Sequence, residues 1–126
     1  ENIASGGELS RIMLAIKTII LAYSSIETII FDEVDTGVSG KVASSIGDKM
    51  LQLAQNKQVI CITHLPQVAC LADHHYCIEK MITDHETTTT VHILNNDSRI
   101  EEIAKMLSGE KLTPEAIENA KKLLNV

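Results

Sequence analysis

Aromatic residues are almost absent from this 126-residue sequence, which has one Phe, two Tyr and no Trp. Because 44% of the residues are nonetheless hydrophobic, a core must be built from aliphatic side chains and Met. Basic residues are also few. The 11 Lys and Arg stand against 17 Asp and Glu, and the formal net charge of −6 argues against a broad nucleic-acid-binding surface on this chain. The length is that of one domain or part of one.

Cysteine is scarce as well, with Cys61, Cys70 and Cys77 forming no CxxC pair. An odd number of unpaired cysteines predicts free thiols in a reducing, intracellular setting. The sequence has no recognisable signal peptide and no apolar run near the roughly 18 residues of a membrane span, so we expect no membrane partner. It begins without Met, and we expect it to be a fragment of a longer protein.

The first segment predicts a helix that ends near Tyr23 and is buried on most sides, because its apolar residues recur at helical spacing with further apolar residues between them. Ser5 and Glu8 match the S-x-x-E capping box at the start of this helix. The same helix start, with no side chains at Gly6 and Gly7, also suits a phosphate. The tetrapeptide alone is compatible with both interpretations.

An apolar run that ends in two adjacent carboxylates, Asp32 and Glu33, is the central feature of the sequence. The run predicts a strand from about Glu27, buried on both faces as in parallel sheets covered by helices. Open α/β folds bind ligands at the carboxyl ends of such strands. The pair is either a solvated strand end or a nucleotide-hydrolysis site. In the second case Asp32 would hold Mg²⁺ and Glu33 would polarise the attacking water.

An amphipathic helix is predicted next, over 39–54, with Val42, Ile46, Met50 and Leu53 on its apolar face. A second apolar strand, Gln58 to Thr63, follows it. This strand–helix–strand order predicts two parallel strands joined by a right-handed crossover, so both strands end at the same edge of the sheet. His64 should therefore lie near Asp32 and Glu33. A histidine there is either structural or hydrogen-bonded to a γ-phosphate or to the attacking water.

The remaining elements are a short helix over 67–72, a hairpin of strands 76–79 and 88–94, a helix capped by Ser98 and Glu101, and a helix from Thr113-Pro114 to about Leu124. Asp73, His74, His75 and Cys77 form a cluster of possible metal ligands. Adjacent histidines beside a strand point in different directions, and no second ligand pair has zinc-like spacing. We therefore predict no metal site at this cluster.

Taken in order, these motifs resemble the second half of an ABC-type ATPase head and, within that family, the SMC-like DNA repair ATPases of bacteria. The matching stretches are SGGELSRIMLA at 5–15, FDEVDTGVSG at 31–40, THLPQVA at 63–69 and MLSG at 106–109. The resemblance implies the α/β fold of P-loop NTPases. Residues 1–126 would form the C-terminal lobe of the head, with parallel strands and flanking helices followed by a β-hairpin and helices.

The resemblance also implies roles for individual residues. Ser5, Gly6, Gly7 and Glu8 would form the signature motif, which contacts ATP held by a partner head. Asp32 would hold Mg²⁺, whereas Glu33 and His64 would be catalytic. Asp35, Gly37 and Ser39 would belong to the D-loop.

The phosphate-binding loop G-x-x-x-x-G-K-[ST] is missing, since the single Gly-Lys pair, Gly40-Lys41, is followed by Val42. The resemblance implies that an N-terminal head half supplies this loop. The expected partners are that half, a second head in an ATP-sandwiched homodimer, and DNA bound by the full-length protein. The full-length protein would be an ATPase of double-strand break repair and recombination, located in the cytoplasm with the nucleoid. The isolated fragment would be inactive.

The resemblance further implies that strand 58–63 lies beside the absent phosphate-loop strand. Its apolar edge would then be unpaired, which favours association with another copy or a change in strand packing. Two alternative functions are compatible with most of these observations. One is the head of another SMC-like ATPase in chromosome maintenance, and the other is a non-enzymatic α/β interaction module.

Overall fold

The computed structural model describes residues 6–32, 37–38, 40–83, 86–109 and 111–126, without the side chains of 6–11, 14 and 22. The chain divides into two compact units, Glu1–Leu71 and Ala72–Val126. The first contains α1 (Gly6–Ala22), β1 (Thr28–Asp32), α2 (Gly40–Ala54), β2 (Gln58–Ile62) and α3 (Pro66–Ala69). The second contains β3 (Tyr76–Ile82), β4 (Thr87–Ile93), α4 (Asn96–Ser108) and α5 (Pro114–Leu124). The predicted order of helices and strands is confirmed.

Strands β1 and β2 pair in parallel, as the length of their connection predicted. The register runs from Thr28 opposite Gln58 to Asp32 opposite Ile62. Helix α2 makes the crossover between them. The two strands therefore end at one edge of the sheet, which confirms that prediction.

The core of the first unit lies between one face of this sheet and α2. Ile29 and Phe31 of β1 point into it, and Phe31 is only 2% exposed. The other buried members are Val38, Ala43, Ile46, Met50, Leu53 and Val68. The single Phe of the sequence is thus surrounded by aliphatic side chains and Met.

The prediction that β1 is buried on both faces is wrong. Its residues alternate between exposed and buried, and Ile30, which points away from α2, is 64% exposed. The reason is that α2 covers one face of the β1–β2 pair. Ile60 and Ile62 of β2 are exposed as well.

The prediction that α1 is buried on most sides is also wrong. Its apolar side chains Ile12, Met13, Ile16, Ile19 and Ile20 are all exposed by 46–63%. Helix α1 approaches α2 across a mainly apolar groove of about 350 Å³. Val42, predicted on the apolar face of α2, is exposed and lines this groove. The buried face of α2 contains Ala43 and Gly47 besides the predicted Ile46, Met50 and Leu53.

The second unit consists of an antiparallel hairpin and a pair of packed helices. The hairpin pairs Tyr76 with Ile93 at one end and Ile82 with Thr87 at the other. This confirms the predicted hairpin, but β3 continues three residues beyond its predicted end at Glu79. Helices α4 and α5 pack against each other. Their buried residues are Ile103 and Ala104 on α4, and Ala116 and Ala120 on α5. None of the helices in the described part of the chain has the length and apolar character needed to span a bilayer.

The two helix caps of this unit can be compared with their predictions. Thr113 caps α5 as predicted, because its Oγ1 accepts a hydrogen bond of 3.2 Å from the backbone N–H of Ala116. The prediction that Ser98 caps α4 is wrong. Asn95 is the cap, and its Oδ1 accepts a bond of 2.9 Å from the N–H of Ser98. Both Asn and Ser are good caps, and α4 begins before Ser98.

Candidate functional site

The carboxyl ends of β1 and β2 form the candidate site. Asp32 is the last residue of β1, is exposed, and lies opposite Ile62, the last residue of β2. A carboxylate oxygen is a preferred ligand of Mg²⁺. Glu33 follows Asp32 directly in the sequence and lies outside the described residues.

His64 occupies a turn immediately after β2. The Oγ1 atom of Thr63 accepts a hydrogen bond of 3.0 Å from the backbone N–H of Leu65, which closes the turn around His64. Leu65 packs against the core, and the buried Pro66 begins α3. His64 is therefore exposed, two residues beyond the register partner of Asp32. The structure brings Asp32 and His64 to the same edge, as the sequence predicted.

Two glycines near the start of α2 have a backbone conformation that favours glycine. Gly37 and Gly40 have φ angles of 71° and 54°, in the left-handed region that side chains rarely allow. Between them Val38 is buried in the core. Gly37 was predicted to belong to the D-loop, and its φ angle is a conformational reason for glycine at that position. Asp35 and Ser39 lie outside the described residues.

Helix α1 starts at Gly6, so Gly6 and Gly7 occupy its first turn. Amides in the first turn of a helix lack intrahelical partners, and two adjacent glycines place no Cβ beside them. The backbone N–H groups at this helix start are therefore suited to donate hydrogen bonds to a phosphate group. Ser5 and the Glu8 side chain lie outside the described part, so their capping box stays a prediction.

One side-chain cluster was missed by sequence analysis. The possible metal ligands near Cys77 were sought at Asp73, His74 and His75, which precede it in the sequence. In the structure Cys77 instead groups with Glu79 and His92. The C-x-E spacing on one strand was a usable signal, because residues two apart in a strand share a face. The participation of His92 depends on the register of β3 with β4, which the sequence does not show.

Comparison with protein-family models finds no match for this chain. Comparison with curated proteins finds "DNA repair protein RecN" of Bacillus subtilis, which is 50% identical over 124 residues, 98% of this chain and 22% of that protein. This is a RecN-like chain. The RecN protein of Halalkalibacterium halodurans is 48% identical and that of Haemophilus influenzae 47%, each over 99% of this chain. The chain spans about 22% of the length of these RecN proteins.

A solved SMC ATPase structure has the same fold as the RecN-like chain. The TM-score is 0.66, and the match covers 86% of this chain and 65% of the other at 19% sequence identity. That protein is described for the ATP-driven dimerization and DNA-stimulated activation of SMC ATPases. The predicted α/β class, with parallel strands followed by a hairpin and helices, is confirmed.

Proposed function

We propose that this RecN-like chain is the C-terminal lobe of an ABC-type ATPase head that acts in DNA double-strand break repair and recombination. The observation that carries the proposal is the β1–β2 register, in which Asp32 lies opposite Ile62, two residues before His64. The similarity to RecN proteins named for DNA repair supports the same function. In this proposal the ATPase is the full-length protein, whose N-terminal head half supplies the phosphate-binding loop.

Three residues serve the nucleotide of their own head in this proposal. Asp32 holds Mg²⁺, Glu33 accepts the proton of the attacking water, and His64 donates a hydrogen bond that orients the water or the γ-phosphate. Bound Mg²⁺ would supply positive charge against the charge that develops on the phosphate oxygens. The exposed position of Asp32 and His64 supports these roles because both side chains must reach a ligand outside the sheet.

The signature and D-loop residues serve the interface between two heads. Ser5, Gly6, Gly7 and Glu8 contact the ATP of the partner head, and Asp35, Gly37 and Ser39 lie at the same interface. ATP therefore joins two heads, and its hydrolysis lets them separate. The acidic charge of −6 suits a lobe whose protein engages DNA through other parts. We propose a cytoplasmic protein that works on the nucleoid.

The test uses the full-length protein that contains this chain, with Glu33→Gln as the informative substitution. General-base catalysis contributes roughly 10²–10⁴-fold, so kcat for ATP should fall by about that factor while ATP binding and ATP-dependent dimerization persist. Asp48→Asn is the matched control, because Asp48 is an exposed acidic residue of α2 with no role in the proposal. It should leave kcat unchanged.

A second substitution separates the interface from hydrolysis. Ser5→Arg should abolish ATP-dependent dimerization, measured by light scattering, while ATP still binds. The 126-residue chain without the rest of the head should bind ATP weakly and hydrolyse it negligibly. The proposal fails if the full-length protein neither binds nor hydrolyses ATP with Mg²⁺, or if Glu33→Gln retains the wild-type kcat.

A further inference from the structure

One face of the β3–β4 hairpin gathers three different metal-ligating side chains. Cys77 and Glu79 are two residues apart on β3 and share a face, and His92 lies directly opposite Cys77 on β4. One donor atom from each residue, a thiol sulfur, a carboxylate oxygen and an imidazole nitrogen, can be chosen so that all lie within 4.8 Å of one another. Cys77 is half-buried, whereas Glu79 and His92 are exposed.

The surroundings of this cluster carry excess negative charge. Its three residues line a cavity of about 310 Å³ together with residues of α4, including Glu101, Glu102 and Lys105. Three carboxylates therefore face one ammonium group in the lining. Burial raises the pKa of the Cys77 thiol, and the negative charges of Glu102 and Glu79 raise it further, while Lys105 opposes them. A cation in this cavity would offset the mutual repulsion of its three carboxylates.

We propose that Cys77, Glu79 and His92 form a Zn²⁺ site whose fourth position faces this cavity. Thiolate, imidazole and carboxylate are the ligands of zinc in proteins, whereas Mg²⁺ and Ca²⁺ take oxygen ligands. Tetrahedral zinc with such ligands separates its donor atoms by about 3.5 Å. Displacements of the donor atoms by about an ångström, through side-chain rotation, would therefore bring them to the spacing of a zinc coordination sphere. On binding, the Cys77 S–H bond breaks, the sulfur electron pair forms the bond to Zn²⁺, and the proton leaves to solvent.

The site would join the two strands of a hairpin that buries little apolar surface. Ile78, Met81 and Val91 are each exposed by 58–62%, and all described residues of β4 are exposed. Two-stranded hairpins are marginally stable without packing on other elements. A zinc ion shared between β3 and β4 therefore acts as a structural cross-link, independent of the proposed ATPase function.

The experiment titrates the 126-residue chain, kept reduced, with Zn²⁺ against a chromophoric chelator and with Co²⁺ as a spectroscopic substitute. We expect one metal per chain, a sulfur-to-cobalt charge-transfer band, and a melting temperature that rises with Zn²⁺. Cys77→Ser and His92→Asn should each weaken Zn²⁺ binding by about 100-fold or more, since even outer-shell changes at metal sites cost about 10–100-fold. Cys70→Ser and His74→Asn are the matched controls and should bind Zn²⁺ like the unsubstituted chain.

A second readout does not depend on any variant folding. Zn²⁺ should protect Cys77 from alkylation, measured by peptide mass spectrometry, while Cys61 and Cys70 react equally with and without the metal. The proposal is overturned if the chain binds no Zn²⁺ at one per chain, if Cys77→Ser binds it as tightly as the unsubstituted chain, or if Cys77 is not protected.

Discussion

Gly47 of α2 is buried against the segment that follows β2, and replacing it tests how tightly the first unit is packed. A Cβ atom at this position would lie 2.6 Å from Leu71 Cδ1, 3.2 Å from the backbone oxygen of Gln67 and 3.7 Å from Val68 Cα. Leu71 is half-buried and can rotate away, whereas the carbonyl of Gln67 belongs to the backbone. Gly47→Ala should therefore force Leu71 out of its place.

Two opposing effects set the size of the change. Ala in a helix interior is favoured over Gly by about 1 kcal/mol. Overpacking a well-packed site costs about 1–3 kcal/mol, and the contacts with Leu71 Cδ1 and the backbone oxygen of Gln67 place Gly47→Ala in that range. The net result should be a free energy of unfolding lower by about 1 kcal/mol. Steric conflict thus exceeds the gain in helix propensity.

A double-mutant cycle with Leu71→Ala separates the two effects, measured by urea unfolding of the four chains. Removing Leu71 Cδ1 eliminates the shortest contact, so Gly47→Ala should become neutral or stabilising in that background. The expected coupling between the two substitutions is about 1–2 kcal/mol. If Gly47→Ala has the same effect in both backgrounds, or raises the stability of the unsubstituted chain by the full propensity gain, the contact with Leu71 is not what determines it.

Three further predictions concern other parts of the chain. Asn95→Ala should lower the free energy of unfolding by about 1 kcal/mol in urea titrations, because the N–H of Ser98 loses its cap. Burial, together with Arg99, lowers the pKa of His75 below its ordinary value of 6.5, against an opposing effect of Glu102. As the pH falls below about 6.5, His75 is therefore protonated in the unfolded chain before it is protonated in the folded chain. The free energy of unfolding declines until the pH passes the pKa of His75 in the folded chain. His75→Asn should flatten this decline in unfolding midpoints between about pH 7.5 and about pH 5.5, whereas His74→Asn, an exposed control, should not. Among the described strands β2 pairs with β1 alone, so we expect concentrated samples to associate in light scattering and Ile60→Lys to reduce this. A chain that is monomeric at high concentration without any substitution would contradict the last expectation.

The order of elements and the parallel strand pair were accessible from the sequence because their causes are local or depend on chain length. Thr113-Pro114 begins a helix for reasons contained in two residues. The connection through α2 is too long for a hairpin and of ordinary length for a crossover, so Asp32 and His64 had to share an edge. The specific roles of Ser5, Glu33, Asp35 and Ser39 stay predictions that rest on the motifs.

The two wrong predictions of burial have one physical cause. Apolar composition shows that a face of α1 or β1 can be buried, but burial also needs an element across from it. Ile16 and Ile30 are exposed because α2 lies on the other face of β1 and beside only part of α1. The cap of α4 was predicted at Ser98 and is Asn95, because two residues suited to capping lie close together and local sequence does not distinguish them.

By itself the sequence determined which segments are helices and strands, which of them end at a common sheet edge, and which protein family the motifs resemble. Periodicity, caps and connection lengths are properties of neighbouring residues, so they can be recognised without coordinates. Tertiary structure decided which apolar faces are covered, why a side chain at Gly47 would meet Leu71, and how Cys77 meets His92. Each of these depends on residues distant in the chain, whose proximity follows from packing and strand register.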